Sequence, residues 1–512
     1  MARKTRAPCP KRGQAQDKQQ NFAQAPFIKK QFPLRPSALL DEEAIEAIHT
    51  ASLHILRNIG IECLLPEACA IFARHGCAVK DQLVTFDPDL LMETIATAPE
   101  NFTIHARNPA HNLAIGSDAM VFCSVASAPN ASDMRGGRRR GNFADFCDFL
   151  KLIQFFNVID LTGGYPVEPV DIAPSIRHLD ALSAMARMTD KVFHAYSLGA
   201  DRNRDALEIT RIVHQVSIEE FDDKPRLMSV INTNSPLRLD KPMMQGIIEM
   251  SRRNQVVVVT PFTLSGAMAP VTLVGALAQQ NAEALAAIAF SQMVRPGAPV
   301  IYGGFTSNVD MKSGAPAFGT PEYMQACLVS GQLARRYHLP FRSSNVNAAN
   351  CVDPQATWES VLSLWGAVQG GANMIMHAAG WLEGGLCASF EKFIIDVEIL
   401  HALQSFCKPL QVDKQTLALD AIADVGHGGH FFGTPHTLAR YRDAFHTPMI
   451  ADWQNFENWQ ESGSQTAQER AHTLYRKVVD DLYELPAMEE GVQEALQDFV
   501  TRRKRTGGCQ EL

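Results

Sequence analysis

The chain has 512 residues, 46% of them hydrophobic, which is enough to bury a large core. Its formal net charge of −8 gives no global basic field to draw it to nucleic acid or an anionic membrane. No run of about 18 uncharged apolar residues reads as a membrane span, and the 11 cysteines include no CxxC pair, as expected of core thiols in a reducing compartment. Length alone suggests two to four domains, although α/β barrels exceed that prior as a single unit.

Residues 1–32 are rich in Lys, Arg, Gln and Pro and read as a disordered basic tail. The tail lacks the apolar core of a secretory signal, so a cytoplasmic protein is expected. Residues 33–115 read as an N-terminal cap of helices with short strands. Asp41 and Glu43 precede apolar spacing at Ile45, Ile48, Leu53 and Leu56, the pattern of a helix with an acidic first turn. Short strands are expected near 84–86 and 102–107.

From residue 116 to 408 the pattern becomes regular. Apolar, β-branched runs fall near 119–125, 158–163, 191–198, 226–232, 255–262, 298–305, 340–346 and 373–379. Helical stretches follow them in turn, at 142–155, 171–188, 202–219, 240–252, 277–294, 320–337, 355–369 and 387–405. Eight alternations predict an α/β fold of the (β/α)8 TIM-type barrel class, with strands apolar throughout because both faces are covered. A doubly wound open sheet is the alternative, disfavoured by the count. Residues 409–512 read as a C-terminal helical extension whose last helix carries an apolar stripe at Val492, Leu496, Phe499 and Val500.

In barrel enzymes the chemistry sits after the carboxyl ends of the strands. The substrate-binding candidates are therefore Asn232 and Asn234 after the fourth run, Asp310 after the sixth and Asn345 and Asn347 after the seventh, with His377, Trp381 and Glu383 on or after the eighth. Ser124, Ser127, Tyr165, His194 and Tyr196 occupy equivalent places after earlier runs. These are mostly neutral amides and hydroxyls. They lack the dense His/Cys/Asp cluster that zinc would need, and no metal site is expected. The run HGGHFFGTPH holds His427, His430 and His436, yet it reads as a Gly-rich turn without acidic or Cys partners. No Gly-rich phosphate fingerprint is present.

The stretches VIYGGFTSNVD, SSNVNAAN and GGANMIMHAAGWLEGGLCASF, with GGHFFGTPHTLARYRDAF at 428–445 and DWQNFENWQESGSQTAQERA at 452–471, resemble the trimethylamine methyltransferase family. The likeness runs from about Phe32 to Gly508. It implies a barrel enzyme that moves a methyl group from a methylated amine to the cobalt of a corrinoid. That cobalamin-type cofactor rides on a separate protein, and no cofactor is bound tightly by this chain. The resemblance also implies a homo-oligomer. The family's trimethylamine enzymes carry pyrrolysine near the end of barrel strand seven, where this chain has ordinary Ser, Asn and Val at 343–347. That departure points away from trimethylamine and toward the branch resembling glycine betaine methyltransferases. The resemblance assigns no catalytic residue. A fixed cation needs aromatic faces or a carboxylate, and Tyr165, Phe262, Phe305, Trp381, Asp310 and Glu383 are available. A substrate carboxylate would be held by neutral donors or by an arginine such as Arg342. A zinc-dependent barrel methyltransferase and a non-catalytic small-molecule-binding barrel remain as alternatives.

Overall fold

The computed structural model describes Gln24 and residues 26–509. The expectation for residues 1–23 and 25 lies outside the described residues. The end of the expected tail is ordered, however. Lys30–Gln31 forms a short strand antiparallel to Ala119 and Met120, and the Lys30 ammonium lies 2.7 Å from the buried carboxylate of Asp160.

The fold is mixed α/β around one seven-stranded sheet. Its order is Lys30–Gln31, Ala119–Ser124, Met374–Ala379, Phe341–Ser344, Val300–Gly303, Val256–Val259 and Met228–Ile231, and all pairings after the first are parallel. The runs expected near 158–163 and 191–198 appear only as isolated parallel bridges, Cys123 to Leu161, Leu161 to Val192, and His194 to Met228. Gly163 and Gly164 interrupt the first of them, and glycine weakens a strand by withholding a side chain to pack. A helix follows each of the eight runs: Phe143–Phe155, Pro174–Met188, Ala200–His214, Lys241–Arg252, Leu273–Val294, Pro321–Arg336, Pro354–Gly370 and Phe390–Phe406. Most start on a side-chain cap, such as Asn142, Asp240, Thr320, Asp353 or Ser389.

All four residues of Val256–Val259 are buried, as a strand covered on both faces requires. The helices supply the large outer core. A second buried cluster gathers Val121, Cys123, Leu161, Val192, Met228, Val256, Val258, Ile301, Met374 and Met376 against Ile104, Leu113 and Ile115. The last three belong to a hairpin, Phe102–Ile104 with Leu113–Ile115, from the N-terminal region. One end of the sheet is thus filled with apolar side chains, and polar chemistry is left to the other.

The C-terminal helix Glu490–Arg505 docks through Val492, Leu496 and Val500. Arg503 pairs with Asp205 and Lys504 with Asp180, which fixes the helix on Pro174–Met188 and Ala200–His214. No helix among the described residues is long and apolar enough to cross a membrane.

Candidate active site at the carboxyl ends of the strands

Buried polar groups nearly always find a partner, so those without one mark where a ligand is expected. Among the described residues, eleven buried side-chain nitrogen or oxygen atoms have none. Seven of them belong to residues at or just after the carboxyl ends of the sheet strands and their bridges, His194, Thr260, Ser344, Asn345, Asn347, His377 and Trp381, and an eighth to Arg342, the second residue of Phe341–Ser344, whose guanidinium reaches Phe305 just beyond the end of Val300–Gly303.

Two amides share one arrangement. Asn345 donates Nδ2 to the Ala378 carbonyl at 3.1 Å, and Asn347 donates Nδ2 to the Trp381 carbonyl at 2.8 Å and to Ser360 Oγ at 3.2 Å. Each thereby ties the seventh run to the eighth while its own Oδ1 stays unpartnered. His377 interrupts the strand Met374–Ala379 with φ +55° and a shift of register between Ile375 and Ala379. A bulge that forces a bulky residue into positive φ re-aims its side chain at a cost, and such strain concentrates at working sites. The His377 ring lies 4.1 Å from Trp381 between ring centres.

Aromatic rings continue the wall. Phe305 is 6.1 Å from His377, 6.2 Å from Trp381, 5.1 Å from Phe262 and 5.5 Å from Phe318. Trp381 is held from the far side by Gly385, where an added Cβ would stand 2.7 Å from the indole; at φ +100° only glycine fits without strain. The loop bearing Trp381 is anchored from below. The Gly380 amide donates to Asp396 at 2.9 Å, Asp396 pairs with Lys392, and Lys392 also donates to Ser360 at 2.7 Å. Burial pushes the Asp396 carboxyl up and the Lys392 ammonium down, each resisted by its partner.

Arg342 sits inside this cluster. It is 2% exposed, and its guanidinium lies 5.3 Å over the Phe305 ring. Burial lowers its pKa to about 10, so it stays cationic at neutral pH. The neighbouring imidazoles are neutral. Burial holds His194 down to about 3, opposed by the Gly163 backbone and helped by the Arg342 charge. His377 lies well below its ordinary value, for burial first and then the Arg342 charge. His194 Nε2 accepts the Val230 amide at 2.9 Å, which assigns the imidazole proton to Nδ1.

Histidines held neutral by the fold make folding acid-sensitive. Their folded pKa values lie below the ordinary 6.5, so the unfolded chain binds more protons as pH falls. Stability is expected to be full above pH 6.5 and to drop below it by about 1.4 kcal/mol per pH unit for each such histidine. Thermal unfolding followed from neutral pH down to about pH 4.5 checks this, and a flat profile contradicts it.

The other sequence candidates fall outside the cluster. Asn232 and Asn234 are exposed, and Asn234 caps Asp240 in a loop where its backbone pairs with Arg238. Asp310 is exposed in a turn closed on Ser313. Glu383 is half-buried and accepts Arg138 Nε on both oxygens at 2.9 Å. Arg138 comes from a hairpin, Asn130–Asp133 with Gly137–Arg140, which joins Cys387–Ser389 in a small sheet. Thr260 carried no sequence signal beyond its position near a run end, and Phe318, in the connection before the helix at 321–336, carried none. A cavity of about 370 Å³ lies beside the cluster, lined by Tyr165, Arg177, Tyr196 and Arg202. Tyr196, 4.9 Å from His194, forms the wall between them. Among the described residues, no group of three or more His, Cys, Asp or Glu is arranged to hold a metal ion.

The family model for trimethylamine methyltransferase matches residues 4–508. A glycine betaine methyltransferase from Desulfitobacterium hafniense is 35% identical over 471 residues, covering 92% of this chain and 98% of that protein. A trimethylamine methyltransferase from the same species is 28% identical, covering 90% and 92%. The crystal structure of the Methanosarcina barkeri monomethylamine methyltransferase superposes with a TM-score of 0.52 at 11% identity, over 88% of this chain and 90% of that one. The family model and the curated relatives define a methyltransferase enzyme. The chain belongs to the trimethylamine methyltransferase family.

Proposed function

We propose that the protein takes one methyl group from a methylated quaternary amine, glycine betaine foremost, and passes it to the cobalt(I) of a corrinoid on a separate protein. The observation that carries this reading is the cluster of unpartnered amide oxygens, neutral imidazoles and aromatic rings at one end of the sheet, in a chain 35% identical to a glycine betaine methyltransferase. A quaternary nitrogen already bears its charge. Attack in line on one methyl carbon breaks the C–N bond, leaves the electron pair on nitrogen and releases a neutral tertiary amine. The methyl joins the metal, which goes from cobalt(I) to cobalt(III). No proton moves, so the protein's task is positioning and electrostatics. Trp381, Phe305 and His377 offer faces for the methylated head, and the Oδ1 atoms of Asn345 and Asn347 face the same task from the seventh run.

On this reading the sheet closes as a (β/α)8 barrel. The isolated bridges through Leu161, Val192 and His194 lead from Ala119–Ser124 back to Met228–Ile231. The inner cluster that joins Cys123 to Val258 suits a closed ring better than an open sheet. The corrinoid protein meets the rim. The chain works as an oligomer, and the apolar residues bared between 406 and 456, with Leu410 94% and Phe432 84% exposed, suit a subunit contact. Cobalt(I) and the unpaired thiols of the described cysteines suit a cytoplasmic setting.

Single-turnover mixing of the purified protein with glycine betaine and its reduced cognate corrinoid protein tests the reading. Loss of the cobalt(I) absorption and appearance of methyl-cobalt(III) is expected. No change with any quaternary amine overturns it, and stoichiometric zinc in the active protein would favour the zinc-dependent alternative.

A further inference from the structure

We propose that Arg342 is the receptor for a substrate carboxylate, so that the site selects zwitterionic quaternary amines over bare methylated cations. The inference rests on the methyl-transfer reading above and adds the residue that sets the substrate class.

The observation is an uncompensated buried cation. Among the described residues, the one hydrogen bond from the Arg342 guanidinium runs from Nη1 to the Gly304 carbonyl at 3.4 Å, and Nε has no partner. No carboxylate among the described residues pairs with it. Among the described residues, each of the other buried lysines and arginines has a carboxylate partner or at least two carbonyl acceptors. Lys30 pairs with Asp160, and Lys392 with Asp396. Lys191 donates to three carbonyls, those of Ile153, Phe156 and Ile159, and Arg226 to two, those of Glu220 and Lys224. A buried charge left alone is costly, and folds retain one where a ligand completes it.

The surroundings define that ligand. Arg342 brings up to five donors in a fixed fork that matches a carboxylate bidentately. Its neighbours Phe305, His377 and Trp381 carry no negative charge. Glu283, a buried carboxylate on Leu273–Val294, is already engaged by Thr233, Ser235, the Leu237 amide and Gln279. A bare tetraalkylammonium would meet one like charge and no free counter-charge. A betaine sets its carboxylate on Arg342 and its methylated nitrogen, two bonds away, against the aromatic faces.

The test is calorimetric binding to the full-length protein, without corrinoid, of four probes: glycine betaine, choline, tetramethylammonium and 3,3-dimethylbutyrate. The last keeps the carboxylate and replaces the charged nitrogen with carbon. The wild type is expected to bind glycine betaine at least about a hundredfold tighter than choline or tetramethylammonium, and to retain measurable affinity for 3,3-dimethylbutyrate. Arg342→Gln is expected to lose that preference, and Arg342→Lys to keep part of it. The wild-type comparison needs no substitution, so it decides the matter if the variants misfold. Equal or tighter binding of the carboxylate-free cations overturns the proposal, as does unchanged glycine betaine affinity in a folded Arg342→Gln. The two readings fail separately: carboxylate-selective binding without methyl transfer leaves Arg342 as receptor and sinks the reaction, whereas transfer from tetramethylammonium with glycine betaine refused does the reverse.

Discussion

Lys392→Met is expected to destabilise the protein by about 3–5 kcal/mol, because it leaves Asp396 as an uncompensated buried charge. Both side chains are fully buried, and Asp396 accepts the Gly380 amide at the start of the Trp381 loop. The damage should therefore reach the site as well as the fold. Ser360 loses the Lys392 donor, and the Asn347 amide that depends on Ser360 and on the Trp381 carbonyl loses its frame. Urea denaturation gives the stability, and indole fluorescence of the folded variant reports the loop. The double variant Lys392→Met/Asp396→Leu removes the stranded charge and is expected to recover most of the stability, since apolar replacement of a whole buried pair is often neutral. A single variant as stable as wild type would mean that the pair carries no net weight.

Trp381→Leu is expected to lower kcat/KM for methyl transfer by about thirtyfold or more. A desolvated cation over an indole face gains about 2 kcal/mol, and leucine keeps apolar bulk without the π-face. Trp381→Phe should retain much of the activity. The effect belongs to recognition of the methylated head, so it should appear for every quaternary substrate, whereas loss of Arg342 should appear only for those bearing a carboxylate. An active Trp381→Leu would remove the aromatic face from the account.

Much of this was legible because each apolar run that forms a full strand is bounded by a polar or Gly-rich stop and followed by a helix, most often one with a side-chain cap. The run at 255–262 became Val256–Val259, and the helix expected at 320–337 became Pro321–Arg336, begun by Thr320. The runs around Leu161 and Val192 shrank to bridges, because Asp160 and Lys191 spend their side chains on buried ionic and carbonyl contacts and Gly163 and Gly164 break the rhythm. The hairpin at 130–140 was invisible for the opposite reason. Its strands read NASD and GRRR, and their pairing is secured by Arg139 bridging Asp133 and Asp145 rather than by apolar alternation. Position after a strand brought Asn345, Asn347, His377 and Trp381 into one cluster, yet the same logic also named Asn234 and Asp310, which turn outward to close their own loops. Sequence gives distance along the chain from the rim; only the pairing of neighbouring strands decides which residues face inward. The isolation of Arg342 was equally hidden, since it is defined by the counter-charge that no neighbouring strand supplies.

Transfer of isotope from glycine betaine labelled on its N-methyl carbons, followed by NMR with the reduced corrinoid protein, tests the central claim most directly. The account predicts one labelled methyl on cobalt for each labelled dimethylglycine formed. Label that stays in the betaine, with a competent corrinoid partner present, would contradict it.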